Sequence, residues 1–314
     1  MSRRRRRGRW LGPLLVAALV LGYWLAGERL RERIGVGSGA APPTLKGDRT
    51  RIVTWNLHNF PGADQDLPRL RERLHDLGAD LLAVQEIHDP AALAELLPGW
   101  QLHLSEHGGR GHQRLGIALD PATLELLAPI REHAELTLNG HVRPAVSAHL
   151  RVHGGPDFHV VVVHLKAKGD GYPLRRKQWP LLADLARDLL HRDPDLVLLG
   201  DFNATGPVGG SADDELAALE ATLAPLGLRR LHPSEPCSAY WDGARRDAWQ
   251  EPSLLDLVWV AGLEHAVGPV HPLHHCARHH CQAFRSTPAY PEPDFADLSD
   301  HCPVALDFAR GPPT

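Results

Sequence analysis

LLGDFNA, residues 198–204, decides how the rest of the chain is read. The apolar run Asp195 to Leu199 suits a strand buried on both faces, and Asp201 and Asn203 stand at its end. Upstream, Pro173 to Leu190 places Leu181, Leu182, Leu185 and Leu189 on one helical face. Before that helix, Phe158 to Leu165 carries the unbroken Val160 to Val163, again the pattern of an interior strand. The alternation continues in both directions. Further strands are expected at Arg51 to Leu57, Asp80 to Gln85, Leu115 to Leu119, Ala145 to Val152, Leu254 to Val260 and Val304 to Phe308. Further helices are expected at Leu67 to Leu77, Ala91 to Leu97 and Asp213 to Leu223. Some strand pairs are separated by a helix and others are not, so the expected sheets are mixed and the class is α/β. The sequence carries no internal repeat and no Gly-rich phosphate loop of the nucleotide-binding kind.

The residues able to do chemistry sit where those strands end. Asn56 and His58 follow the first strand in TWNLHNF (54–60), Glu86 ends LLAVQE (81–86) and His164 lies in VVVVHLKA (160–167). Asp256 lies within SLLDLVWV (253–260), and Asp300-His301 precedes the last strand in SDHCPV (299–304). A helix-capping Asp or a turn Asn explains any one of them. Their joint occurrence is harder to explain that way. Oxygen ligands such as Asn56, Glu86 and Asp300 suit a hard divalent cation. A histidine at the same edge can take a proton from water, and an Asp can fix its tautomer.

Composition excludes several classes. Apolar residues make up 43% of the 314 and charged residues 23%, which rules out a disordered or collagen-like chain. The net charge of −4 hides an asymmetry: the first 50 residues hold 11 of the 34 Lys and Arg and 3 of the 38 acids. The remainder is therefore strongly acidic, so a generic nucleic-acid coat is excluded and any phosphate must be met by local chemistry or a metal. The basic residues 1–9 precede the uncharged run 10–27, which at 1.5 Å per residue spans about 27 Å as a helix. That run is expected to be a signal anchor or transmembrane helix with residues 1–9 cytoplasmic; a cleaved signal peptide is the alternative. Residues 28–50 read as a linker, and 51–310 as the catalytic domain, placed in the periplasm or outside the cell and secreted if the segment is cleaved. Four cysteines agree with export. Cys276 and Cys281, in HHCARHHC (274–281), are expected to form a local bridge, with Cys237 and Cys302 paired by elimination; a metal site at HHCARHHC and free thiols are the other readings.

WNL, QE, GDFN, the Asp before a hydrophobic strand and SDH together resemble the endonuclease/exonuclease/phosphatase superfamily, from about Arg51 to Phe308. The superfamily includes deoxyribonuclease I, exonuclease III, inositol polyphosphate 5-phosphatases and neutral sphingomyelinases. The resemblance implies a four-layer α/β/β/α sandwich of two mixed sheets with flanking helices, and metal-dependent hydrolysis of a phosphoester. It implies that Asn56 and Glu86 hold the metal with Asp300 beside them, and that His301 is the general base, oriented by Asp256. Asp201 and Asn203 would position water and contact phosphate, His164 would donate to a phosphate oxygen or the leaving group, and Arg143 would contact phosphate. The stretch GHQRLGIAL (111–119) departs from deoxyribonuclease I, which has a glutamate supporting the counterpart of His164. Gln113 or Arg114 stands in that place, and Arg114 is also a candidate phosphate contact. Mg²⁺ or Mn²⁺ is the expected cofactor, with Ca²⁺ a further candidate.

Three substrate readings follow. The first is an exported nuclease cutting DNA or RNA, acting as a monomer. The second is a phosphatase or a sphingomyelinase-like lipid phosphodiesterase, which a membrane anchor favours. The third, a non-catalytic binding module, is disfavoured by the presence of Asp256, His301 and Glu86. The basic cluster Lys166, Lys168, Arg175, Arg176 and Lys177 reads either as a track for a nucleic-acid backbone or as a solvated helix start.

Overall fold

The computed structural model describes residues 49–243, 247–263 and 267–309. In chain order the strands are β1 (Arg49–Phe60), β2 (Leu81–Ile87), β3 (Gln101–Leu104), β4 (Arg114–Leu119), β5 (Leu124–Leu126), β6 (Arg131–His133), β7 (Ala145–Val152) and β8 (Asp157–His164). They continue with β9 (Leu196–Asp201), β10 (Arg229–Arg230), β11 (Ala239–Asp242), β12 (Trp249–Ser253), β13 (Asp256–Ala261), β14 (His271–Pro272), β15 (Phe284–Arg285) and β16 (Val304–Ala309). The described α-helices are α1 (Leu67–Asp76), α2 (Pro90–Leu96), α3 (Tyr172–Leu190), α4 (Ala212–Leu223), α5 (His274–His279) and α6 (Pro293–Asp297). Local chemistry starts several of them. Asp66, Asp89 and Ser211 accept hydrogen bonds from the first backbone amides of α1, α2 and α4.

One large sheet has the order β14-β16-β1-β2-β4-β3, the other β10-β13-β9-β8-β7-β5 with β6 also on β7. In each, one parallel pair sits among antiparallel ones: β1 beside β2, and β8 beside β9. Those are the pairs joined through helices α1 and α3, since a parallel return needs a crossover. The sheets pack face to face. Ile52, Leu81, Ile117 and Leu306 of one share a core with Val160, Val162, Val197 and Val258 of the other. The alternate residues Val161, Val163, Leu196 and Leu198 face α3 and α4, while Val53, Trp55, Leu82 and Val84 face α1 and α2. This is why the valine run of β8 is unbroken: both its faces are buried, at about 1.5–3 kcal/mol per large side chain. The four-layer α/β/β/α architecture expected from the sequence is present.

Three features depart from the sequence reading. β1 begins at Arg49, inside the expected linker. A third sheet, β11-β12-β15, was not anticipated, because strands of two to five residues carry no periodicity to read. The disulfides join Cys237 to Cys281 and Cys276 to Cys302, with Cα separations of 5.6 and 6.0 Å, so the expected Cys276–Cys281 and Cys237–Cys302 pairs are not formed. The reason is the helix α5. At about 100° per residue, side chains five apart diverge, and left-handed backbone at His280 and Cys281 turns the chain away. With these thiols in disulfides, a thiolate metal site at HHCARHHC is also excluded.

The expectations for residues 1–9, 10–27 and most of the linker 28–50 lie outside the described residues. Among the described residues no helix is long and apolar enough to cross a membrane.

Candidate active site

The two parallel pairs point their carboxyl ends to the same edge of the sandwich. Asn56 of β1 is paired in register with Gln85, directly before Glu86, and His164 ends β8 opposite Asp201 of β9. Asp256, the first residue of β13, lies opposite Asp201 on its other side. His301 and Asp300 stand just before β16, which pairs with β1. Strand register thus brings together residues that are far apart in the chain.

Gly200 makes this register possible. A Cβ there would lie 2.1 Å from the carbonyl oxygen of Val163, and the residue has φ +134°, so only glycine lets β8 and β9 close next to His164 and Asp201. Four residues at this edge without that freedom also adopt left-handed backbone: His58 (φ 49°), Asn59 (55°), Glu86 (64°) and Asn203 (51°). Such backbone costs about 1–3 kcal/mol each and persists where the surroundings hold it.

His301 Nδ1 lies 2.7 Å from Asp256 Oδ2, and its Nε2 lies 3.9 Å from Asp201 Oδ2. Burial opposes its charging, yet Asp256, Asp201 and Asp300 together raise its pKa well above the ordinary histidine value. Asp201 is fully buried, which pushes its carboxyl up to about 7; Asp256 and Glu86 add to the rise, against the pull of His301 and the hydrogen bond from Asn56. Asn56 Nδ2 donates to Asp201 at 3.1 Å, and the backbone amide of Asn203 donates to the other Asp201 oxygen at 2.8 Å. Asn203 Nδ2 donates to the Leu165 carbonyl at 3.3 Å.

His164 is buried at this edge, between Glu86 and Asp201. Its Nε2 is 3.6 Å from Glu86 Oε1 and 3.4 Å from Asp201 Oδ2, and neither ring nitrogen makes a hydrogen bond. Burial, then Arg143, His301 and Lys166, push its pKa well down, so the ring is neutral. Neither Gln113 nor Arg114 supports it. Gln113 instead donates to Asn59 at 2.8 Å and accepts from Arg143 at 3.1 Å. Arg114 opens β4 opposite Ile87, half-buried, with no ion-pair partner among the described residues. Arg143 is buried beneath the site, its donors on the carbonyls of His164 (3.1 Å) and Leu165 (2.5 Å). Asp300 accepts from His58 Nδ1 at 2.7 Å; burial alone would raise its pKa, but that bond and the charge of His301 hold it below the usual range.

Four supporting residues were not singled out in the sequence. Ser238 Oγ accepts from the amide of Asp256 at 2.8 Å. Ser299 Oγ accepts from the His301 amide at 3.0 Å and donates to the Asn56 carbonyl at 2.7 Å. Trp55 Nε1 donates to the His301 carbonyl at 2.9 Å, and the Asn59 amide donates to Glu86 Oε2 at 2.9 Å. Ser299 opens SDH and Trp55 opens WNL, so both stand in motifs already quoted. Ser238 leaves no such trace.

A model of the Endonuclease/Exonuclease/phosphatase family matches residues 53–301, from β1 to His301. The chain belongs to that family. Its fold is similar to truncated TDP2 from Caenorhabditis elegans, at a TM-score of 0.61 and 16% identity over 83% of this chain and 98% of that one. It is similar to the catalytic domain of human Nocturnin, solved with bound sulfate, at 0.56 and 17% over 83% and 94%. A mannosyl-6-phosphatase from Bacteroides thetaiotaomicron matches at 0.56 and 16% over 82% and 99%. At such identities the likeness is one of fold. Comparison with curated proteins found no significant match.

Enzymes of the endonuclease/exonuclease/phosphatase family hydrolyse phosphoesters and generally depend on a divalent metal. The donors here fit a hard cation. Glu86 and Asn56 offer oxygen, with the second Glu86 oxygen oriented by the Asn59 amide. Burial raises Asp201, and Asp256 and Glu86 lie close enough to add to that rise, so several carboxylates gather at this edge.

Proposed function

We propose that the chain is a divalent-metal-dependent phosphodiesterase, an endonuclease of the deoxyribonuclease I kind, working outside the cytoplasm from a membrane anchor. The observation that carries the catalytic reading is the His301–Asp256 pair, held at 2.7 Å and aimed past Nε2 at Asp201. Asp256 fixes the imidazole so that Nε2 faces the reaction. Asp201 and the Asn203 amide group position the attacking water and a phosphate oxygen. As the water oxygen bonds to phosphorus and the ester P–O bond breaks, the water proton passes to Nε2 of the deprotonated His301, the form the raised pKa places toward higher pH; the leaving oxygen takes a proton from solvent. His164, neutral and buried, donates its N–H to a non-bridging oxygen whose charge grows in the transition state. Glu86, Asn56 and Asp300 would hold Mg²⁺ or Mn²⁺, which supplies charge neutralisation at the phosphate. Arg143 supports the site through its bonds to the His164 and Leu165 carbonyls, and its charge lies close to Asp201 and Glu86.

Two disulfides support a location in an oxidising compartment. A nucleic-acid substrate is supported by a TDP2 structure from D. rerio with a single-strand DNA product, similar in fold at a TM-score of 0.58. One observation favours the second reading, a phosphatase or lipid phosphodiesterase. Arg175 of the basic cluster is buried in a two-pronged pair with Glu215, at 2.6 and 2.7 Å, which thins any track for a long polyanion. The test is a screen of the purified chain with Mg²⁺, Mn²⁺ or Ca²⁺ against plasmid DNA, RNA, phosphomonoesters and sphingomyelin. Metal-dependent cleavage of plasmid DNA or RNA is expected. Turnover confined to monoesters or sphingomyelin would transfer the function to the second reading, and no turnover on any of them would overturn both.

A further inference from the structure

The outer face of the second sheet carries a separate cluster at its other end. His149 of β7 and His159 of β8 are register partners, their ring centroids 4.4 Å apart. His159 lies five residues from His164, roughly 16 Å along the strand. Beyond the end of α3, the loop before β9 brings Asp193 onto this face. That loop is pinned: the His159 amide donates to the Asp195 carbonyl at 2.8 Å, and the Asp195 amide donates to Asp193 Oδ1 at 2.8 Å. Asp193 Oδ2 is thereby turned toward His149.

His149 Nε2 stands 3.5 Å from Asp193 Oδ2 and 3.5 Å from Asp157 Oδ2. The ligand atoms of the three residues all lie within 4.8 Å of one another. Neither distance is a hydrogen bond: the Nε2 atoms of both His149 and His159 are buried without a partner. Two equal separations of this size have another natural meaning. In a tetrahedral site with bonds of about 2.0–2.1 Å, adjacent ligand atoms are about 3.3–3.4 Å apart. Arg151 touches Asp157 Oδ2 at 3.4 Å and competes for that oxygen, and the charge of Arg192 reaches His159.

We propose that His149, Asp157 and Asp193 form a second divalent-metal site, suited to Zn²⁺, that clamps the α3–β9 loop to β7 and β8. One imidazole and two carboxylates from three chain segments match the ligand set of that ion. His159 is 6% exposed and packs against His149 with the rings tilted by 32°, holding the ligating ring in place. The site is independent of the catalytic edge.

The experiment uses the full chain carrying Glu86→Ala, which removes the proposed active-site anchor, stripped with a chelator. Calorimetric titration with Zn²⁺ is expected to show one strong equivalent, Co²⁺ to give the absorption of a four-coordinate ion, and Zn²⁺ to raise the Tm. Adding His149→Ala or Asp193→Asn is expected to abolish all three responses, with the far-ultraviolet circular dichroism unchanged. If the Glu86→Ala chain binds no Zn²⁺, or if both further variants bind it equally well, the cluster is an ion pair only and the proposal falls. Failure of the catalytic reading would appear separately, as Mg²⁺-dependent turnover unaffected by Glu86→Ala.

Discussion

Asp256 faces Asp201 directly across the β9–β13 ladder, so two carboxylates from neighbouring strands flank the single imidazole of His301. The first orients Nδ1, and the second sits beyond Nε2, where the proton of an attacking water would arrive. On the proposed mechanism, removing His301 removes the proton acceptor and leaves the rest in place. His301→Ala is expected to lower turnover by about two to four decades, with little change in metal affinity. Asp256→Asn is expected to fall between that and the unmodified chain, because the ring remains but loses its orienting charge. Steady-state kinetics on the best substrate from the screen checks both; near-normal turnover for His301→Ala would reduce it to a turn histidine.

Glu86 is expected to behave differently. Its loss should weaken metal dependence, and excess Mg²⁺ or Mn²⁺ should recover part of the rate, since the base and the phosphate contacts remain. Metal titrations of activity for Glu86→Ala and His301→Ala separate the two roles. Rescue of His301→Ala by metal would reverse the assignment.

Gly200 is expected to tolerate no side chain. A methyl group would collide with the Val163 carbonyl at 2.1 Å, in backbone unsuited to any other residue. Gly200→Ala should part β8 from β9, displacing His164 and Asp201, and should lose both activity and thermal stability. Retention of the original Tm and rate would show that the strand can shift without harm.

The Cys276–Cys302 bridge anchors the residue directly after His301. With its ends 26 positions apart in sequence, the chain-entropy relation gives about 3.5 kcal/mol of stabilisation. Cys276→Ser with Cys302→Ser should lower the urea midpoint accordingly and reduce turnover beyond the loss in folded fraction. Peptide mapping without reductant should recover Cys237–Cys281 and Cys276–Cys302 as the linked pairs.

Acid should destabilise the chain through His275. The ring is buried among Tyr240, Phe284 and Phe295, with both nitrogens unpartnered, and burial lowers its pKa from 6.5 to about 3. A folded-state pKa below the unfolded one gives stability that is complete above pH 6.5 and is lost as the pH falls toward 3. At about 1.4 kcal/mol per pKa unit this amounts to a few kcal/mol at the acid end. His275→Phe keeps the packing and should flatten urea midpoints between pH 6 and 4; an unchanged slope would acquit this residue.

Much of the site was legible because most candidates stand within or beside a strand whose apolar run can be read directly. Asn56, Glu86, His164, Asp201, Asp256 and His301 all occupy such positions, and the fold brings them to one edge. Arg143 is expected to contact phosphate and Arg175 to belong to a basic track or a solvated helix start, whereas both are buried, with their donors on carbonyls and on Glu215. An arginine looks the same in sequence whether it faces a ligand or braces a loop. Ser238 was invisible for a similar reason: its role is a pair of backbone amides that only a neighbouring loop presents.

The sequence by itself determined the strands and helices and which of their faces are buried. A period of two along strands and of 3.6 along helices is local, and it states which faces must leave water before any partner is known. The tertiary structure alone decided the pairings: which cysteine meets which, that Asp300 answers His58, and that His149 draws Asp157 and Asp193 together. Those contacts join residues far apart in the chain, and they depend on strand register and on how two sheets stack. Neither leaves a periodic mark on the residues concerned, because a hydrogen bond or a disulfide needs only two side chains at the right distance.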